Sequence, residues 1–448
     1  LLVAGTLILI GFAAALAFQR FRVPDFILLL LLGAGLSQIP VAPFGPGLLA
    51  SLGPLLPVFT QLTVAFILFE GGLSLRLREA GRSLPAVLVH AIVAMGLTAA
   101  LIWLLATRIF GLSDVTALIL AMALSGPSAS IALSFGTRMH LDPRAESAIV
   151  LEGVLPHVIA AIGVLAILRW YGAASGFALG SYLIAAGETV GLAAIVGVGW
   201  GRVVDRLSEQ RFVYMATVGL AIVVYAVAQG FLGQTGALAV FVLGVVLGYE
   251  RAVHTKSAPA ASRPEGGPLS ENVLSELEAF VEATDGTRPL RPAGVPTGTR
   301  NLRNFQAEVT FALRTFFFVY LGLLLTAEWG GLGTLEASGL IVAAFLLGRA
   351  PTSLALGRGL HLPKRDARAI FASMARGMTD VVLILFAAQS GLLPPAEVQF
   401  LLGIIPTTVL FAAIVCAVLV IRAARSPGAE TARSIQPKEE GAAGANGP

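Results

Sequence analysis

The sequence predicts an all-α polytopic membrane protein with about thirteen transmembrane helices, arranged as two inverted six-helix repeats with crossed broken helices. Three observations lead to this fold class. Of the 448 residues, 56% are hydrophobic and 12% are charged, which is about half the charged fraction of a soluble domain. The apolar residues form runs of roughly 20, the length that a helix needs to cross a bilayer core. Two of these runs are interrupted at corresponding positions in the two halves of the chain.

Turn residues and charges between the apolar runs divide the chain into its predicted spans. The first run has no basic residue before it and is followed by Arg20 and Arg22, so we interpret it as a span rather than as a signal peptide. The single cysteine, Cys416, excludes a disulfide framework and a cysteine metal site. The predicted spans are 1–18, 24–39, 54–73, 83–106, 113–135, 145–168, 176–199, 211–229, 234–249, 306–325, 335–357, 367–391 and 396–421.

Lysine and arginine lie almost entirely on one side of the predicted membrane. The odd-numbered connections and the C-terminal tail contain 25 of the 30 basic residues, whereas the even-numbered connections contain only Arg108 and Arg169. Cytoplasmic loops carry the excess of Lys and Arg. We therefore predict an integral protein of a prokaryotic plasma membrane, with its N-terminus outside and its C-terminus in the cytoplasm.

The spans group into two repeats, a linker and two polar segments. If spans one to six correspond to spans eight to thirteen, span seven is the linker and the second repeat is inverted. Two segments have too little apolar content to fold, and we expect a flexible cytoplasmic loop and a disordered cytoplasmic tail there. The predicted domains are repeat 1 at 1–168, the linker helix and turn at 169–210, repeat 2 at 211–425 with the loop at 251–303, and the tail at 426–448.

Spans five and twelve are predicted to be broken helices that cross near the middle of the membrane. Span five contains "SGPSAS" at 125–130 and span twelve contains "SMARGMTD" at 373–380. A packing kink would explain either break alone, but two breaks at corresponding positions are typical of transporters that bind an ion between half-helix ends. In span six, Pro156 lacks a backbone N–H and so frees the carbonyl oxygen of Glu152. The predicted helix breaks are at Gly126, Pro127, Pro156 and Gly377.

Three motifs resemble those of the cation:proton antiporter family, in its sodium/proton exchanger branch. "FILFEGGL" (66–73) is similar to the third-helix signature of that family, "FQAEVTFALRTFFFVYLGLL" (305–324) to its tenth-helix segment, and "ARGM" (375–378) to its twelfth-helix arginine motif. The resemblance covers nearly all of residues 1–421. It implies a homodimeric secondary transporter that exchanges Na⁺ or K⁺ for protons in the cell membrane, with no enzymatic activity, no cofactor and no nucleic-acid partner.

Two motifs depart from the family pattern. Where the family has Thr-Asp-Pro in helix five, this chain has Ser125–Pro127, with glycine in place of the carboxylate. Where the family has a glutamate followed by Asn-Asp in helix six, this chain has Glu152 followed by Pro156 and His157. The resemblance implies that the missing aspartate alternately holds the cation and the proton. Its loss leaves two alternatives open: a degenerate member that acts as a regulator or sensor without cation exchange, and a transporter of another ion.

The remaining carboxylates and the histidine are candidates for the lost chemistry. A carboxylate suits exchange because a hard cation and a proton compete for the same oxygens. Asp380 is interpreted either as the relocated carboxylate or as the partner of Arg376, four residues earlier. His157 either carries the proton or is neutral and hydrogen-bonded within the bundle. The candidate ion-binding or proton-carrying residues are Glu70, Ser125, Ser128, His157 and Asp380.

Other ionisable residues within the spans are assigned structural roles. The resemblance implies that Glu152 forms an ion pair with a basic residue of a neighbouring helix, for which Arg314 and Arg376 are the candidates. Breaking a buried ion pair costs about 3–5 kcal/mol. We expect His90 to be a helix-packing residue, and Arg349 to extend to the lipid headgroups.

Overall fold

The chain was analysed in a computed structural model, which describes residues 5, 9, 11–13, 25–39, 46–74, 84–128, 141–172, 179–207, 212–233, 235–257, 297–327 and 332–424. These residues form fourteen α-helices and one short 3₁₀ helix, Gly53–Leu55, and none of them forms a strand. The α-helices are α1 Asp25–Ser37, α2 Pro46–Leu52, α3 Leu56–Ser74, α4 Leu84–Arg108, α5 Asp114–Ala123, α6 Pro143–Gly172, α7 Leu179–Arg206, α8 Val213–Phe231, α9 Gly236–Ser257, α10 Thr297–Ala327, α11 Leu332–Gly359, α12 Lys364–Ala372, α13 Met378–Ala388 and α14 Pro395–Ala424.

Twelve of the predicted spans have an apolar helix in the described residues. Seven helices, namely α3, α4, α6, α7, α8, α11 and α14, are long and apolar enough to cross a membrane, and five shorter apolar helices lie in α1, α5, α9, α10 and α13. They correspond to spans two to thirteen. Span one, at 1–18, falls mostly outside the described residues. The predicted all-α membrane fold is confirmed.

The helix breaks predicted in spans five and twelve begin where the sequence places them, and they touch each other. The break predicted at Pro156 is wrong, because α6 runs without interruption from Pro143 to Gly172 and contains Pro156. Helix α5 ends at Ala123, and the chain leaves the helix before Gly126 and Pro127; residues 129–140 lie outside the described part of the chain. Residues 373–377 separate α12 from α13, so the second break is shorter than the predicted 373–380. The backbone N–H of Ser128 donates to the carbonyl oxygen of Ala375 at 2.8 Å. The two non-helical segments therefore meet inside the bundle.

The outer ends of the broken helices are each fixed by a carboxylate. Glu397, in the first turn of α14, accepts from the backbone N–H and the hydroxyl of Ser113 at 3.0 and 2.6 Å, just before α5 begins. At the start of α12, Asp366 accepts from the backbone N–H of Asp142 at 2.9 Å, just before α6. Each bond satisfies a donor at a helix N-terminus. These contacts hold α5 against α14 and α12 against α6.

Two glycine pairs allow helices to cross in backbone contact. Gly33 on α1 faces Gly322 on α10, and a Cβ at Gly33 would lie 3.0 Å from the Gly322 Cα and overlap the preceding helical turn. Gly72 on α3 faces Gly244 on α9 in the same way, again at 3.0 Å. A side chain at any of these four positions would force the helices apart. Spans two and ten thus cross as spans nine and three do, which is the relation that an internal duplication predicts.

Helices also occupy both ends of the predicted cytoplasmic loop. Helix α9 continues to Ser257 and α10 begins at Thr297, so part of 251–303 is helical, and residues 258–296 are outside the described residues. The predicted tail, 426–448, is outside them as well. The division into repeat, linker and tail domains stays a prediction.

Candidate functional site

The candidate site is formed where the two helix breaks meet the middle of α6. Gly126 packs on α6, and a Cβ at this position would lie 2.9 Å from the Cβ of Pro156. Glycine at the first break therefore lets the α5 break approach the proline turn of α6 closely. The site side chains are Ser125, Ser128, Glu152, His157, Arg376 and Asp380, and all are buried. Polar side chains at this depth of a membrane helix bundle are costly unless they are paired or used.

His157 and Asp380 face each other across this junction. The Nε2 atom of His157 lies 3.3 Å from Oδ1 of Asp380, and both side chains are buried. Neither atom makes a well-aligned hydrogen bond within the described residues. The sequence analysis placed these two residues in one site, and the structure brings them together.

The second ring nitrogen of His157 determines the state of the first. Nδ1 lies 2.6 Å from the backbone carbonyl oxygen of Gly153, one turn earlier on α6. A carbonyl oxygen can only accept, so Nδ1 carries the hydrogen. In the neutral imidazole, Nε2 then presents a lone pair to the Asp380 carboxylate. Two lone pairs at this distance repel, and the contact becomes favourable only when a positive species lies between the two atoms.

The other oxygen of Asp380 is used by the backbone. Oδ2 accepts from the N–H of Gly377 at 3.0 Å, at the N-terminus of α13. This bond satisfies one of the free donors of the helix, and the positive end of the helix dipole favours the negative charge. The helix thus fixes the direction of the carboxylate, and Oδ1 is left facing His157.

Glu152 forms the ion pair of this region, but its partner is not one of the two predicted. Its carboxylate accepts from Nη1 and Nη2 of Arg349 at 2.5 and 3.1 Å. Within the described residues, neither Arg314 nor Arg376 is at ion-pair distance from it, so the predicted partners are corrected to Arg349. A guanidinium that makes two bonds to one carboxylate has the geometry of a strong pair. Its position on α11 joins that helix to α6.

Arg349 also caps the first half of the broken twelfth span. Its Nη2 donates to the carbonyl oxygen of Ile370 at 2.5 Å and to the hydroxyl of Ser373 at 3.0 Å. These groups lie at the C-terminal end of α12, where free carbonyls and the negative end of the helix dipole favour a cation. The expectation that Arg349 extends to the headgroups is wrong, because its side chain is buried and its guanidinium bonds to Glu152 and Ile370 inside the bundle.

His90 belongs to the same cluster. Its Nε2 lies 3.3 Å from Oε2 of Glu152, which joins α4 to α6. Neither Nδ1 nor Nε2 of His90 makes a well-aligned hydrogen bond within the described residues. His90 is thus a polar neighbour of the Glu152–Arg349 pair, and its packing role stays a prediction.

Arg376 is fully buried and pairs with neither predicted carboxylate. None of its three guanidinium nitrogens has a hydrogen-bond partner in the described part of the chain. The guanidinium lies 3.7 Å from the centre of the Phe345 ring, in a cation–π contact. The alternative of an Arg376–Asp380 ion pair is wrong for this conformation.

The remaining candidates are less closely connected to His157. The Ser125 hydroxyl donates to the carbonyl oxygen of Met122 at 2.8 Å. Glu70 is half-buried on α3, and its carboxylate accepts from the Thr310 hydroxyl of α10 at 3.4 Å. The only acidic side chain within ion-pair distance of His157 in the described residues is Asp380. The ion-binding roles of Glu70, Ser125 and Ser128 stay predictions.

Sequence reasoning missed Arg349 and undervalued His90. Both are ionisable residues within apolar spans, and this feature alone marks a residue as a candidate for a functional or structural pair. Arg349 lies four residues after Phe345, so the ring that holds Arg376 and the guanidinium that holds Glu152 share one face of α11. Periodicity would have placed the two residues on one face.

Comparison with known proteins gives one family and one fold. The family model described as "Sodium/hydrogen exchanger, transmembrane" matches residues 5–276 and 290–422. A solved structure of the sodium proton antiporter MjNhaP1 from Methanocaldococcus jannaschii at pH 8 is 16% identical, with a TM-score of 0.66 over 96% of this chain and 97% of that chain. A second structure of MjNhaP1, from electron microscopy, is 15% identical, with a TM-score of 0.60 and 98% coverage of both chains. A comparison with curated protein sequences gives no match.

Proposed function

We propose that this chain, which belongs to the sodium/hydrogen exchanger family, exchanges Na⁺ or K⁺ for protons across a membrane. Cation:proton antiport is the activity of the family, whose members are transporters and not enzymes. Since the family's helix-six aspartate is replaced here by His157, the exchange needs a different pair of groups. We assign it to His157 and Asp380.

The contact between His157 Nε2 and Asp380 Oδ1 carries this proposal. The two atoms are 3.3 Å apart, and the proton on Nδ1 is held by Gly153. A separation of 3.3 Å suits a proton between the two atoms, and we propose that a metal cation binds Asp380 Oδ1 beside the contact once that proton has left. Two positive charges about 4 Å apart repel by about 4 kcal/mol at an effective dielectric near 20. Mutually exclusive binding of a proton and a cation is the condition for antiport.

The charges around the pair limit it to one additional positive species, because the cluster is already neutral without that species. The buried cluster contains two carboxylates, Glu152 and Asp380, and two guanidiniums, Arg349 and Arg376. With both histidines neutral, these charges balance. In the proton-loaded state His157 is an imidazolium beside Asp380, and in the cation-loaded state Asp380 binds the cation and His157 is neutral. Ser125, Ser128 and Glu70 are the further oxygen ligands that we propose.

Glu152 and Arg349 have a structural role in this proposal. The pair joins α6 to α11 and, through Ile370 and Ser373, to the end of α12. Both residues are buried and make several bonds each. We therefore place the pair in the frame that positions His157 and Asp380, and not in the exchange itself.

Assembly and orientation are proposed from the sequence and the family resemblance. We propose a homodimer in a prokaryotic plasma membrane, with the N-terminus outside and the C-terminus in the cytoplasm. The distribution of Lys and Arg supports the orientation. Accessibility of a cysteine introduced after Arg425, tested in inside-out and right-side-out vesicles, would measure it.

The test of exchange uses the full chain in proteoliposomes with a trapped pH-sensitive dye. An outward proton gradient is imposed, and Na⁺, K⁺ and Li⁺ are added separately. We expect at least one cation to produce a pH change that liposomes without protein do not show. Glu188→Gln is the matched control, because Glu188 is an exposed carboxylate on α7, outside the site, and it should exchange as the wild type does.

The loss of the family's aspartate favours a second candidate function. A member without the transport carboxylate of helix six could keep the fold as a regulator or sensor, or could transport another ion. If the wild type gave no pH change with any of the three cations, the exchange proposal would be wrong. The degenerate member would then be the better assignment.

A further inference from the structure

The guanidinium of Arg376 is the buried group in the described residues whose bonding is least satisfied. It is fully buried, and Nε, Nη1 and Nη2 lack hydrogen-bond partners there. Burial of an unpaired charge is strongly unfavourable, and a charged group in such a place is normally paired. A side chain with this many unused donors has a more favourable position when a carboxylate becomes available.

The present position of Arg376 is held by an aromatic face. The Phe345 ring centre lies 3.7 Å from the guanidinium carbon, and a cation–π contact is stronger when the cation is desolvated. This contact uses none of the N–H donors along their own directions. Arg376 also lies in the non-helical segment 373–377, so its side chain is not constrained by a helical turn on either side.

Asp380 is the carboxylate that such a movement would reach. Asp380 and Glu152 are the carboxylates close enough to attract Arg376, and Arg349 is close enough to repel it. Glu152 already accepts two bonds from Arg349 and contacts His90. Among the described residues, by contrast, the polar atom that faces Oδ1 of Asp380 is Nε2 of His157. Oδ1 of Asp380 can therefore accept hydrogen bonds from the Arg376 guanidinium.

We propose that Arg376 is an internal competitor for Asp380, which rests on Phe345 while a proton or cation occupies the His157–Asp380 pair and moves to Asp380 as that ion leaves. Movement of this charge toward Asp380 lowers the affinity of the site and speeds release. The role deepens the proposed exchange function and rests on it. Arg376 touches neither the proton nor the cation, so it is a positioning residue and not a ligand.

Other ionisable groups around this site define what a pH experiment must separate. From α6, His157 and Glu152 face the cluster, and α11 contributes Arg349 and α13 contributes Asp380. His90 of α4 reaches it through Glu152. The Cys416 thiol of α14 lies against the break at Met374 and Ala375. Of these groups, His157 and Asp380 are the two whose facing atoms, Nε2 and Oδ1, both lack a hydrogen-bond partner among the described residues.

Two substitutions should move the cation affinity in opposite directions. Arg376→Gln removes the competitor, so the KM for the transported cation should fall about tenfold, as expected for the loss of one nearby charge, and kcat should fall because release is slower. Phe345→Leu removes the resting place and leaves the charge, so KM should rise. Arg376→Lys retains the charge and the cation–π contact, and its KM should change less than that of Arg376→Gln.

A proton-binding measurement decides the inference even if no alkali cation is exchanged. Thermal stability of the purified protein is followed against pH without alkali cations, and the relevant midpoint is the one that His157→Gln abolishes. That midpoint should move to higher pH in Arg376→Gln and to lower pH in Phe345→Leu. Shifts in the same direction, or no shift in either variant, would overturn the role of Arg376. Absence of exchange by the wild type, with opposite shifts of the midpoint, would count against the exchange function alone.

Discussion

Two histidine–carboxylate pairs lie on the same helix bundle at the same separation, yet their surroundings differ. His90 Nε2 lies 3.3 Å from Glu152 and His157 Nε2 lies 3.3 Å from Asp380. In the first pair, Nδ1 of the histidine has no hydrogen-bond partner among the described residues, and in the second it is bonded to the carbonyl of Gly153. The two pairs therefore differ at Nδ1, the ring nitrogen that points away from the carboxylate.

That difference predicts which histidine changes its protonation state. A neutral His90 can keep its one hydrogen on Nε2, toward Glu152, and a second proton would create a buried N–H with nothing to bond. A neutral His157 must keep its hydrogen on Nδ1, so its Nε2 accepts the next proton beside a carboxylate. The carboxylates differ in the same sense, because Arg349 binds Glu152 and leaves Asp380 to His157. This contrast favours His157 over His90 as the residue that receives the transported proton in the proposed exchange.

The largest expected effect comes from removal of the carboxylate of the second pair. Asp380→Asn should reduce exchange to the level of liposomes without protein, because a neutral amide does not bind a proton or a hard cation in its place. The amide oxygen can still accept from Gly377, so thermal stability should change little. The measurement is the cation-driven pH change, with Glu188→Gln as control. Unchanged transport would leave Asp380 as a helix-capping residue only.

Removal of the charge from the first pair should affect folding instead. Glu152→Gln leaves Arg349 as an uncompensated buried charge, which costs about 3–5 kcal/mol. We expect a lower expression level and a lower thermal unfolding temperature than for Asp380→Asn, measured in the same detergent. A Glu152→Gln protein of normal stability that fails to exchange would reverse the assignment of the two carboxylates.

Substitution of the histidine of the second pair should change pH dependence more than activity. His157→Asp supplies a carboxylate that also binds one proton, so exchange should continue with a shifted pH optimum. His157→Gln is the matched variant with a side chain that does not titrate, and it should lose proton-coupled exchange. Equal activity of both variants, with the wild-type pH profile, would mean that His157 does not carry the proton.

The smallest effect is expected at the histidine of the first pair. His90→Gln retains an N–H donor for Glu152, so stability should fall by about 1 kcal/mol or less. The pH profile of exchange should stay that of the wild type. If the pH profile of exchange moved with His90→Gln and stayed in place with His157→Gln, our assignment of the proton to His157 would be wrong.

The sequence predicted the fold and the junction of the site because both depend on local chemistry. Apolar runs determine which segments span the membrane, and Gly126, Pro127 and Gly377 interrupt helices by their own backbone properties. Asp380 was placed in the site because it lies just after the break at Gly377, and His157 because it stands where the resembled family has its helix-six aspartate. The structure shows this proximity, whereas the roles of the two residues are still to be tested.

The ion-pair partners could not be predicted, because they depend on which helices face each other. Arg314 and Arg376 were chosen for Glu152 from the motifs that contain them. Arg349 was assigned to the headgroups because it lies in the second half of its predicted span, but α11 directs this residue toward Glu152 of α6. Because Arg349 pairs with Glu152, Arg376 has no carboxylate partner among the described residues. No pattern in the sequence predicts this.

The glycine pairs at Gly33–Gly322 and Gly72–Gly244 limit how this protein can move. Where backbones touch, a slide of one helix along the other by even one residue would bring a Cβ against a carbonyl oxygen. Helix α1 therefore keeps its register on α10, and α3 keeps its register on α9. We expect each pair to move as one rigid rod. Any alternation of access between the two sides of the membrane must be a rotation or tilt of these paired rods against the helices that carry the breaks.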